Sequence, residues 1–320
     1  MDAPGPLRLL AALPLGAALA WCAPAQACSV CACGDPLLSA SDPAAIAGQL
    51  RLQLDTEYLR IDAGTDGVAG STDQLTQWST RLNVAWRPVE ELSLVATLPY
   101  LTRTIRTVAG GTSSTASELT GLGDLELGAR YPVWRSVQVG ARRVQELALS
   151  AGATLPTGRK EARDAGGALV DPHGQLGNGA WGPFAGVHYR HELGDWSAFA
   201  SLSYRARTEA RYFDSTRYKF GDATLWSVHG QYLAGKALAL DLGLDGRHAV
   251  ADRATDETGA VDGRVAHTGG TLLSAAPAVY YNAVAGLWLF ARAQLPVYKR
   301  LEGEQDVKPS VTAGVQLQVR

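Results

Sequence analysis

The stretch Trp78-Ser79-Thr80-Arg81-Leu82-Asn83-Val84-Ala85-Trp86 carries the reading of the whole chain. Its even positions are bulky or apolar and its odd positions are small, polar or charged. Successive side chains of a β-strand point to opposite faces, so this segment has one greasy side and one wet side. The same period of two recurs. Leu50, Leu52, Leu54, Thr56 and Tyr58 alternate with Arg51, Gln53, Asp55 and Glu57, and Leu238, Leu240, Leu242 and Leu244 alternate with residues that include Asp241 and Asp245. Charge on the enclosed side with apolar residues outside is the pattern of a membrane barrel, whereas a water-facing sandwich has no need to enclose charge.

Twelve such segments start near residues 48, 77, 91, 122, 144, 180, 195, 222, 237, 271, 286 and 309. The expected fold class is therefore all-β, an antiparallel transmembrane β-barrel of about 12 strands following a cleaved signal peptide. Long connections are expected near 62–75, 104–120, 157–179, 207–221, 249–270 and 299–308, alternating with tight turns such as Arg87–Glu91 and Ala283–Gly286. An even strand count with long loops at one end and short turns at the other is how outer-membrane barrels are built, and it puts both chain ends on the periplasmic side. Trp86, Tyr131, Trp134, Tyr189, Trp196, Tyr232, Tyr281 and Trp288 fall at strand ends beside short turns, and Tyr58, Trp78, Tyr100, Trp181, Tyr204 and Tyr298 at the opposite ends. Two aromatic girdles at headgroup level are the expected counterpart of the loop pattern.

Composition agrees. Among 320 residues, 46% are hydrophobic and 19% charged, which supplies ample apolar surface and excludes a disordered chain. The formal net charge of −2 offers no basic field to collect nucleic acid. Leu9 to Trp21 is an apolar run too short to span a bilayer, and Ala25-Gln26-Ala27 has the small-x-small pattern of a signal-peptidase site. The expected organisation is a signal peptide at 1–27, a periplasmic cysteine-containing segment at 28–46 and the barrel at 47–320. The uncharged stretch Thr268–Ala291 contains Gly269, Gly270, Pro277, Asn282 and Gly286, so it reads as two strands and a turn, not as a helix.

Gly121-Leu122-Gly123-Asp124-Leu125, then Leu155-Pro156-Thr157-Gly158, then Gln175 to Gly186 with Trp181 and Pro183 resemble the outer-membrane transporter family named for the meta-pathway of phenol degradation. The resemblance implies a barrel involved in solute passage.

Several clusters invite a chemical reading. Cys28, Cys31 and Cys33 form C-x-x-C-x-C after the expected cleavage site. Thiolates so spaced can converge on a soft metal such as Cu(I) or Zn, while a disulfide or lipid attachment is the plainer alternative. No other cofactor is expected. Gly230 to Lys236 imitates a phosphate loop but lacks its Ser/Thr, and His188 and His191 are three apart, which on a strand puts them on opposite faces. Ser227 and His229 share a face but lack an evident third group, so lumen packing is expected and not catalysis. Asp252, Asp256, Glu257 and Asp262 read as a solvated acidic loop without calcium-loop spacing.

By parity the enclosed face carries Arg51, Arg81, Arg130, Arg190, Arg205, Arg247 and Arg292 against Asp55, Glu57, Asp124, Glu126, Glu146, Asp241 and Asp245. This balance points to mutually paired charges and not to a single-sign selectivity ring. Phe184, Phe199, Trp288, Phe290 and Tyr298 fall on the same face, either as lumen packing or as an apolar solute path. The function expected is passive passage of small, hydrophobic or aromatic solutes through the bacterial outer membrane. Its partners would be the bilayer, lipopolysaccharide, the solute and the outer-membrane assembly machinery. The alternative is a closed barrel anchoring a metal- or redox-active cysteine segment in the periplasm.

Overall fold

The computed structural model describes residues 48–64, 71–109, 112–164, 167, 169–212, 216–255 and 263–319. The expected signal peptide, the cysteine segment and Asp256, Glu257 and Asp262 lie outside them. The chain runs through β1 (Leu50–Gly64), β2 (Ser71–Val89), β3 (Leu92–Ala109), β4 (Thr112–Leu122), β5 (Glu126–Gln138), β6 (Arg143–Thr154), β7 (Gly182–Leu193) and β8 (Trp196–Arg205). Two loop strands follow, β9 (Ala210–Tyr212) and β10 (Thr216–Lys219), then β11 (Ala223–Ala234) and β12 (Leu238–Ala249). After β13 (Arg253–Ala254) and β14 (Gly263–Arg264) come β15 (Gly270–Ala275), β16 (Ala278–Val284), β17 (Leu287–Leu301), β18 (Gln305–Val307) and β19 (Ser310–Val319).

Each stave pairs antiparallel with its sequence neighbours. The last closes on the first, from Leu50 opposite Val319 to Tyr58 opposite Val311. β4 and β5 together make one stave against β3, β15 and β16 one stave between β12 and β17, and β18 continues β19 along β1. The result is a closed antiparallel barrel of twelve staves. Among the described residues closure leaves the ring of staves without a free edge, which is what a bilayer demands of a β-protein.

The outer face is the apolar one. Leu54, Leu82, Leu202, Leu242, Leu244 and Val315 are exposed, while their inward neighbours Asp55, Arg81, Ser203, Asp241 and Gln316 are buried. Aromatic pairs mark both rims. Tyr58 stands opposite Trp78 with ring centroids 5.0 Å apart, and Trp196 opposite Tyr232 at 4.6 Å.

Three of the expected long loops are largely strand. β1 and β2 run on to Gly64 and Ser71, β3 and β4 to Ala109 and Thr112, and β17 to Leu301. In those stretches threonines such as Thr102, Thr104 and Thr107 keep β propensity, but with water outside the hydrophobic alternation fades, so a reading built on alternation ends the strand too early. The remaining long connections are 155–181, 206–222 and 250–269, all at one end. The other end carries tight turns and both described ends of the chain.

Strict parity also fails where the register slips, and the slip in β17 moves a candidate lumen residue. In β17 the register slips, so that Ala275 faces Leu295 but Leu273 faces Tyr298, with one residue too many between them. Leu272 and Ser274 are buried, so Leu273 and its partner Tyr298 point outward. This β-bulge moves Tyr298 off the enclosed face, where alternation had put it, and into the outer girdle. Trp288 does the opposite and faces inward, so it is no girdle member.

Candidate functional site: the lumen

In the short-turn half of the barrel the enclosed charges find one another. Arg81 Nε donates to Asp55 Oδ1 at 2.7 Å and its Nη1 to Glu57 at 2.8 Å, and Asn83 donates to the other Asp55 oxygen at 2.8 Å. Arg130 pairs with Glu146 at 3.0 Å, Arg190 lies 3.4 Å from Glu192, and Arg292 pairs with Asp245. His229 sits between Asp241 on Nδ1 at 2.8 Å and Asp245 on Nε2 at 3.1 Å. Both ring nitrogens are therefore committed to carboxylates, and Ser227 bonds Ser201 at 2.7 Å. A serine cannot be activated by a histidine that has no nitrogen turned toward it. His188 bonds Ser150 while His191 bonds Gln145, so the two histidines have separate partners.

Beneath these pairs, at the short-turn rim, lies a cavity of about 280 Å³. Phe199, Trp288 and Tyr280 supply its apolar wall and Gln231, Gln316 and Glu192 its polar one. Phe290 stacks on Tyr280 with centroids 5.7 Å apart. Of the expected inward rings, Phe199, Trp288 and Phe290 thus gather here. Phe184 lies apart and higher, where Arg205 covers its ring at 4.7 Å.

The long-loop half is filled by the chain itself. The described residues of 155–181 fold into the barrel mouth, and Ala162, Val170 and Leu176 pack on Leu75, Leu101, Ile105 and Leu119 of the wall. Asp124, in the break between β4 and β5, anchors both limbs of this loop by accepting from the Gly158 amide at 2.9 Å and the Asn178 amide at 2.7 Å. Where the limbs meet, a Cβ on Gly177 would come within 2.4–2.6 Å of Gly158 backbone atoms, so only glycine fits. The side chain of Gln175 staples the loop internally, donating to Ala162 O at 3.1 Å and Val170 O at 2.6 Å, and Arg103 donates to the Gln175 backbone carbonyl. The three glycine-rich stretches behind the family resemblance are thus one physical unit, the anchorage of the plug.

A buried clasp ties this loop to the next two. His173 Nδ1 meets Asp171 at 3.0 Å, its Nε2 meets Asp252 at 2.6 Å, and Tyr218 donates to Asp252 at 2.8 Å. Burial alone would lower the imidazole pKa, but hydrogen bonds and charge from Asp171 and Asp252 outweigh it and push it up to about 9. Asp252, expected in a solvated loop, is wholly buried. The clasp has no local signature, because His173 and Asp252 are 79 residues apart.

Glu126 accepts two hydrogen bonds from Arg205, at 2.6 and 3.1 Å, and one from Thr154 at 3.3 Å. Among the described residues no group of His, Cys, Asp and Glu is placed to hold a metal ion.

These features define a transmembrane β-barrel with a polar lumen closed from one end by an inward loop, the architecture of an outer-membrane barrel. No family model and no curated protein sequence matches the chain. Among solved structures it is similar to an outer-membrane channel from Pseudomonas putida F1, with a TM-score of 0.64 and 17% identity over 89% of this chain and 100% of that one. It is less similar to the translocator domain of the autotransporter NalP from Neisseria meningitidis (TM-score 0.48, 14% identity, 88% and 92% covered) and to the porin NanC (TM-score 0.46, 10% identity, 84% and 100% covered). At these identities the likeness concerns the fold.

Proposed function

We propose that this chain is a passive outer-membrane channel for small solutes, with hydrophobic or aromatic ones favoured, gated by the loop 155–181. The observation that carries the reading is the contrast between a sealed, apolar outer face and a lumen that keeps a 280 Å³ cavity beneath a loop held in the mouth by Asp124. Phe199, Trp288 and Tyr280, the last backed by Phe290, give that cavity the ring surface an apolar solute would use. In this reading the short turns and both chain ends are periplasmic, the three long loops face lipopolysaccharide, and the assembly machinery inserts the barrel. The anchoring of the plug by the three glycine-rich stretches supports kinship with the meta-pathway family.

The filled mouth also favours one alternative, a closed barrel that anchors the segment bearing Cys28, Cys31 and Cys33, with a soft metal bound there. Planar-bilayer recording decides between them. The channel reading expects brief openings of the wild type and a severalfold higher open fraction in Gly177→Val, which cannot seat the loop. Silence from both proteins, with metal lost from a triple serine variant of the cysteines, would establish the alternative.

A further inference from the structure

Arg207 stands just beyond β8, one step above Arg205 on the same inward row, and its guanidinium lies on the bare Cα of Gly182, where a Cβ would be 2.4 Å from Nη1. That Nη1 is closed off from solvent and makes no hydrogen bond among the described residues. Arg205 and Arg247 are close enough to repel its charge, with Glu126 and Asp124 attracting it more weakly. Arg103 adds a fourth guanidinium beside Asp124.

The nearby acids are already engaged. Both oxygens of Glu126 hold Arg205, both oxygens of Asp124 hold loop amides, and Asp222 takes the backbone amide of Arg207 at 2.8 Å, the Tyr204 hydroxyl at 3.0 Å and Lys219 at 3.5 Å. An enclosed guanidinium nitrogen without a hydrogen-bond partner is costly to hold, and an incoming anion relieves it. Guanidinium forks match carboxylates. The ring of Phe184 under Arg205 adds an aromatic neighbour.

We propose that Arg207, flanked by Arg205 and Arg247 at the foot of the plug, binds the carboxylate of a small organic acid. This deepens the channel reading by naming the solute class, but binding itself does not depend on conduction.

The test is calorimetric titration of the purified, detergent-solubilised barrel in low-salt buffer with benzoate, and with benzamide as its neutral isostere. Benzoate should bind and benzamide should not. Arg207→Gln should weaken benzoate by about tenfold or more, the loss of one charge-assisted contact, while Arg207→Lys retains part of the affinity. Heat-modifiable migration in gels confirms that each variant is folded. Equal binding of benzamide, no benzoate binding to the wild type, or unchanged binding to a folded Arg207→Gln would overturn the proposal. Benzoate binding by a protein that never conducts would uphold the site while removing the channel reading.

Discussion

The two halves of the lumen solve the problem of enclosed charge differently. In the short-turn half the wall residues of neighbouring staves neutralise one another, as Arg81 does with Asp55 and Glu57, and space is left over as a cavity. In the long-loop half the wall turns apolar at Leu75, Leu101 and Ile105, a loop packs onto it, and the Arg207 Nη1 makes no hydrogen bond among the described residues. The first arrangement is a rigid frame, because each partner is fixed by strand register. The second is a removable part, because residues 155–181 are tied in by a few amides, one glutamine and one histidine clasp.

Breaking the frame should cost most. Arg81→Met leaves Asp55 and Glu57 buried without their cation, and about 3–5 kcal/mol of stability should be lost. Urea unfolding of the refolded barrel in lipid measures this. A loss below about 1 kcal/mol would mean that water, and not Arg81, solvates the two acids.

Breaking the clasp should cost less and should depend on pH. The His173 pKa is raised to about 9 from an ordinary 6.5, so the stabilisation is complete below about pH 6.5 and disappears as the pH climbs through 9. The shift corresponds to about 3 kcal/mol as an upper bound. Protease cleavage within 155–181 should therefore accelerate in the wild type above pH 9. His173→Leu, which leaves Asp171 and Asp252 facing each other, should be cut quickly at pH 7 and show no such rise. A wild-type rate that is flat from pH 6 to 10 would remove the clasp from the account.

The smallest effect should come from the rim cavity. Trp288→Ala removes a ring that borders open space, so stability should change by about 1 kcal/mol or less, well below a core truncation. Uptake of a monocyclic aromatic compound into liposomes should slow relative to a small sugar. Equal change for both would make Trp288 an obstruction and not a contact surface.

How far the sequence reached depended on the range of the contacts. Alternation at Trp78–Trp86 and its repeats placed inward and outward faces, because side-chain direction in a strand is settled by the residue's own position. It misplaced Tyr298, since a single extra residue in β17 reverses parity and nothing in the local composition announces it. It took Asp252 for a surface acid, since an isolated acid in a polar run looks the same whether or not a histidine 79 residues away lies against it. Arg207 passed unnoticed because it lies beyond the last alternating residue of its strand. Only its enclosed Nη1, which makes no hydrogen bond among the described residues, marks it out.

By itself, then, the sequence determined the strand pattern, the stave count, the apolar exterior and the enclosure of charge, all properties of one strand and the solvent on either side of it. Tertiary structure alone decided which charges pair, that the described residues of 155–181 enter the barrel, and that the Arg207 Nη1 is left without a hydrogen bond among the described residues. Closing the barrel brings Glu126 to Arg205, 79 residues on, and Asp124 to Asn178, 54 residues on. Register and curvature set those meetings, and neither is a property of any short stretch of chain.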